Sequence, residues 1–241
     1  GDKFGVAIYA PLTAGAFAPD VVLVTGNAKQ MMLLAEAAHL AGLDCDSSMV
    51  GRPTCAAIPA VMQSGRTATN LGCIGNRVYT ELPDDGLSRR HVVDLEALGL
   101  PGEWLAYEFW DRRFLGRVSD SLAETVRPHH GAVIALRRPT GAPQFLGWNR
   151  QLTMGGTLLE DVSWDGGSRQ LVLRTPVAAP TATVPFTYEL AFYVPAEFTF
   201  SGVEARGVTV RDLDGTVEGE VVRVRFVPES TGDLQLVVQF L

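Results

Sequence analysis

The sequence is short of cysteine, of basic excess and of long apolar runs. It holds three cysteines in 241 residues, Cys45, Cys55 and Cys73. An odd number confined to the first third argues against the disulfide scaffold of a small secreted domain and for a reducing compartment. None is spaced Cys-x-x-Cys, and two cysteines make only half of a zinc site. Twenty Lys and Arg stand against 27 Asp and Glu, a formal net charge of −7, and the charges are interspersed. The basic stripe that nucleic-acid binding needs is missing. No apolar run approaches the roughly 20 residues of a membrane span. Nor is there a basic start followed by an apolar stretch and a cleavage site. The expectation is a cytoplasmic chain with neither a nucleic-acid nor a membrane partner. It opens on Gly1 with a strand-like run close behind, as expected of a fragment.

What is there is apolar: 46% of residues are hydrophobic, enough for real cores. Phe4 to Pro11 reads as a short strand. Val21 to Gly26 (VVLVTG) is a continuous apolar run of β-branched residues, typical of a strand buried on both faces. Asn27 is placed to cap a helix from Ala28 to Ala41. Met31, Leu34, Ala35, Ala38 and Leu40 would form its apolar face, and Gly42 would stop it. Strand, tight turn and helix in this order predict a partial α/β segment. Its turn, TGN, has neither the G-x-G-x-x-G of a dinucleotide site nor the G-x-x-x-x-G-K-[ST] of a P-loop.

Gly51 to Thr80 is the stretch least explained by packing alone. It carries Cys55, Cys73, Arg52, Arg66 and Arg77, with Gly51, Gly65, Gly72 and Gly75 among them. A short helix around Thr54 to Gln63 contains Pro59, and Ala68 to Ile74 reads as a strand. Glycines on either side of Cys73 leave its backbone open to close approach.

Beyond Arg90 the unit becomes a short strand plus a turn. Trp104–Trp110, Arg113–Val118, Ala132–Arg137, Leu171–Thr175, Tyr188–Val194, Val221–Val227 and Leu234–Phe240 read as strands. Asp165-Gly166-Gly167 and Thr231-Gly232-Asp233 read as hairpin turns. Many short strands with glycine-rich turns predict an antiparallel sandwich. The expected class is therefore α+β overall. A partial α/β domain would cover 1–90 and an all-β sandwich region 91–241, the latter divided near 140. The joint is expected at Leu87 to Asp94, because PDDGLSRR (Pro83 to Arg90) is polar and turn-forming. A trypsin-like protease would cut it at Arg89 or Arg90.

Two resemblances follow from these segments. PDVVLVTGN at Pro19 to Asn27, GRPTCAAIPAVMQSG from Gly51 and LGCIGNRVY ending at Tyr79 resemble the family called domain of unknown function 169, over roughly residues 5 to 87. That resemblance implies no reaction, but it draws attention to Cys55, Cys73, Asn76 and Arg77. VVDLEALGLPGEWLAYEFWDRRFLGRV at Val92 to Val118, PHHGAVIALRRP at Pro128 to Pro139 and FLGWNRQLTMGG at Phe145 to Gly156 resemble the C-terminal β-sandwich region of α-galactosidase (melibiase)-type glycoside hydrolases. The resemblance implies a non-catalytic accessory domain, since catalysis in such enzymes belongs to a preceding (β/α)8 barrel.

Candidate residues divide accordingly. Arg52, Cys55, Cys73, Asn76 and Arg77 form the candidate ligand-binding set. Guanidinium groups suit a small anionic ligand, and a nearby guanidinium favours thiolate, hence a small-molecule, metal or thiol-redox site as one alternative. The opposing expectation is a pair of packed, inert cysteines. Cys45 is expected to be a plain packing cysteine, and His39 could join a metal only through tertiary accident. Glu108, Asp111, Glu160, Asp161 and Asp165 read as solvated faces and turns rather than the carboxylate pair of a glycosidase. Trp104, Trp110, Trp148 and Trp164 could stack sugars, making a carbohydrate-binding module the other alternative, but tryptophans in sandwich strands more often fill the core. His129-His130 reads as a loop. No catalytic residue, no metal site and no named cofactor is expected, and the first choice is an accessory domain without autonomous catalysis.

Overall fold

The computed structural model describes residues 4–9, 21–27, 88–96, 99–126, 131–150, 159–181 and 186–241. Contacts divide the chain into two compact units: Gly1–Ala14 with Pro19–Arg138, and Gly15–Ala18 with Pro139–Leu241.

The first unit contains β1 (Phe4–Tyr9), β2 (Val21–Asn27), β3 (Arg89–Asp94), β4 (Trp104–Glu108), β5 (Arg113–Val118), β6 (Ser121–Val126) and β7 (Gly131–Arg137). Five of these make one sheet in the order β1-β2-β7-β4-β5, while β3 and β6 pair separately. The N-terminal strands are completed from far down the chain: Val21 pairs with Leu136 and Gly26 with Gly131. In the interior positions of this sheet, β4 is buried at every residue, as is β7 from Ala132 to Arg137. β5, at the edge, has no fully buried residue, and Gly116 adopts φ +101° where the register with β4 shifts. Arg89 and Arg90, expected in a flexible joint, pair with Val126 and Thr125 in the β3–β6 ladder.

The second unit contains β8 (Gln144–Trp148), β9 (Asp161–Asp165), β10 (Gln170–Val177), β11 (Tyr188–Tyr193), β12 (Phe200–Arg206), β13 (Val210–Glu218), β14 (Val221–Pro228) and β15 (Gly232–Phe240). They form two four-stranded sheets, β12-β15-β10-β9 and β13-β14-β11-β8. The shared core takes alternate residues of each strand: Leu171 and Leu173; Tyr188, Leu190 and Phe192; Val222, Val224 and Phe226; Leu234, Leu236, Val238 and Phe240. Period-2 alternation puts one side of a strand in the core and the other outside, and this arrangement is a β-sandwich. Tyr188 and Phe226 are cross-strand partners whose rings stack at 5.2 Å, 3° from parallel.

The two outer faces differ. β10 alternates buried and more exposed residues, as a strand with one solvated face should. β11 is buried at all six positions and β8 at four of its five, so these two neighbouring strands are covered on both faces.

The expected α+β class with an α/β segment is overturned. The described residues contain no helix, and every strand pairing is antiparallel, including those of β2 with β1 and with β7. A continuous apolar run reports burial on both faces and not the direction of the neighbouring strands. Here the neighbour β7 lies more than a hundred residues downstream and runs the other way. The helices expected from Ala28 to Ala41 and from Thr54 to Gln63, and the strand from Ala68 to Ile74, lie outside the described residues. Thr231-Gly232-Asp233 is not a hairpin turn either. It links β14 to β15, which belong to different sheets.

Candidate functional site

Arg52, Cys55, Cys73, Asn76 and Arg77 all lie outside the described residues, as do Cys45, Arg66, His39 and His129-His130. Among the described residues, no group of three or more His, Cys, Asp and Glu could hold a metal ion. No described helix is long and apolar enough to cross a membrane.

The chemistry begins with a charged cluster on β11 and β14. Glu189 sits in β11 between core-facing Tyr188 and Leu190, so its side chain points to the opposite face, and it is only 4% exposed. Across the ladder its direct partner is Arg225. Arg225 Nε donates to Glu189 Oε2 at 2.8 Å, and Arg223 Nη1 donates to Oε1 at 3.3 Å. Arg223 also donates from Nε to Glu218 at 2.6 Å, and this contact holds the Glu218 carboxyl below its ordinary pKa. At the end of β8, Asn149 extends the ladder with its side chain. Its Oδ1 accepts from Glu189 N at 3.1 Å, and its Nδ2 donates to Thr187 O at 2.8 Å. A buried carboxylate enclosed by two guanidinium groups is neutralised and fixed in place. Such an arrangement specifies register rather than turning over a substrate.

The second cluster surrounds Glu108 at the end of β4. Its carboxylate accepts from Asp111 N at 2.6 Å and from Val133 N at 3.3 Å, tying the turn at 109–112 to β7. Burial pushes its pKa above the ordinary value, against the opposing effect of these backbone N–H groups. Glu108 is 3% exposed, which corrects the expectation of a solvated carboxylate. The pattern WLAYEFW holds the cue: one acid inside an otherwise apolar strand. Asp111 is exposed beside it, and Arg112 takes a left-handed φ of 52° in the same turn.

The other acids do structural work. Asp165 accepts from the Ser168 hydroxyl and from the Gly167 and Ser168 backbone N–H groups, which lowers its pKa and closes the β9–β10 turn. Asp161 accepts from Ser163, and Glu160 is exposed with its N–H on Arg174 O. Glu124, 8% exposed, pairs with Arg113 through both carboxylate oxygens at 2.7 and 2.8 Å.

Three of the four tryptophans pack inward. Trp104 is buried under the Arg138 guanidinium, 3.5 Å from the ring centroid. Trp164 is partly buried and meets Phe198 and Phe240 edge-on. Trp148 is fully buried, and its indole Nε1 has no hydrogen-bond partner among the described residues. Trp110 differs: it is 47% exposed at the β4–β5 turn, held edge-on by Phe109 at 4.9 Å.

The Glu189 cluster was not anticipated from the sequence, although a signal exists. Arg223 and Arg225 alternate with Val222, Val224 and Phe226, and Glu189 interrupts an apolar strand, so these charges share the face opposite the core. That they meet is decided by the pairing of β11 with β14.

Taken together, the described residues define an antiparallel β protein with a two-sheet sandwich at its C-terminal end. The model of the family described as domain of unknown function 169, uncharacterised ArCR, matches residues 2–93, so the N-terminal part is similar to that family over that span. No curated protein matches the chain.

Proposed function

We propose that the β-rich region of residues 91–241 is a non-catalytic accessory region of the kind attached to α-galactosidase-type glycoside hydrolases, joined to an N-terminal part of uncharacterised role. The observation that carries this reading is the asymmetry of the sandwich. The sheet containing β10 leaves one face to solvent, whereas β8 and β11 are buried on both faces. An antiparallel sheet with one face in the core commonly solvates the other, so a strand with little exposure on either face is built to be covered. The carboxylates agree with this role. Glu189, Glu124, Glu103, Glu204 and Glu218 are each engaged by arginine, and Asp165 by its own turn. The test is incubation of the purified chain with an aryl α-galactoside. No release of the phenol is expected. Turnover that disappears on replacing a carboxylate of this chain would overturn the proposal.

A carbohydrate-binding module is the second reading, and Trp110 favours it. Its indole is exposed, and the turn that presents it is fixed from beneath by Glu108. Exposed aromatic faces stack on the apolar face of a pyranose ring. Titration calorimetry with galactose-containing oligosaccharides tests this. Binding that is lost in Trp110→Ala supports the second reading, and no heat at millimolar sugar removes it.

A further inference from the structure

We draw no further inference here: the strongest candidate, the shallow groove lined by Ala205, Gly207, Val208, Thr209, Val210 and Leu213 where β12 turns into β13, carries nothing because nothing in the structure shows what covers it.

Discussion

Removal of the Glu189 carboxylate should destabilise the sandwich by an amount that the local geometry bounds. Truncating one member of a buried ion pair costs about 3–5 kcal/mol, because the charge left behind stays desolvated. Two features lower that figure. The Arg223 side chain, 11% exposed, keeps its 2.6 Å contact with Glu218 after the substitution. The Arg225 side chain is 50% exposed, so its guanidinium rehydrates readily. Glu189→Ala should therefore cost about 2–3 kcal/mol. Glu189→Gln keeps the shape and one acceptor, and should cost about 1–2 kcal/mol. The assay is urea unfolding of the full chain, followed by tryptophan fluorescence and far-ultraviolet circular dichroism. Arg223→Met and the double variant complete a cycle. Coupling between Glu189 and Arg223 should be about 1 kcal/mol and should persist in roughly 1 M salt, since buried pairs are poorly screened. A cost for Glu189→Ala below about 0.5 kcal/mol, with no coupling, would refute the assignment of this cluster as a buried lock.

Further predictions concern backbone, proton and protease. A Cβ on Gly215 would lie 2.3 Å from the Phe200 ring, and one on Gly207 (φ +89°) would lie 2.4 Å from the Asp233 carbonyl oxygen. Each Gly→Ala change should lower stability by about 1–3 kcal/mol, the second more because backbone cannot move aside. Gly219 (φ +62°) meets nothing within 4 Å, so Gly219→Ala should cost only the left-handed penalty of about 1–2 kcal/mol. Equal losses at all three positions in chemical denaturation would contradict these contacts. Burial raises the Glu108 pKa above 4.5, so its contribution to stability is complete below that value and is lost as pH rises through the raised one. The stability of the native chain relative to Glu108→Gln should thus decline as pH climbs from about 4.5, and a difference that grows over that range would exclude the buried placement. Limited trypsin digestion should spare Arg89 and Arg90 while the β3–β6 ladder holds them, and early cleavage there would mean that the ladder does not form.

Much of the β architecture was legible in single segments. β10 is one case: Leu171 to Thr175 reads as a strand, and it lies within β10. The DGG turn after Trp164 likewise predicts the β9–β10 hairpin that forms. Some edge strands were illegible, because a strand with little to bury carries the polar composition of a loop, whereas the edge strands β1 and β5 were read. Thus β12 (FSGVEAR) and β13 (VRDLDGTVE) went unread, and both are the edges of their sheets. The candidate site at Arg52, Cys55, Cys73, Asn76 and Arg77 was named from local composition and a family resemblance, and those residues lie outside the described ones.

By itself the sequence determined that the more apolar of the short segments are strands, because strand-forming composition is a local property. Only the tertiary structure decided partners and directions. VVLVTG is as compatible with a parallel as with an antiparallel neighbour, and β7 settles the matter from residues 131–137. Glu189 is likewise an isolated acid in an apolar strand until the ladder brings it to Arg223 and Arg225, 34 and 36 positions away. Pairing across such separations depends on how the whole chain closes its cores, and no window of neighbouring residues contains that information.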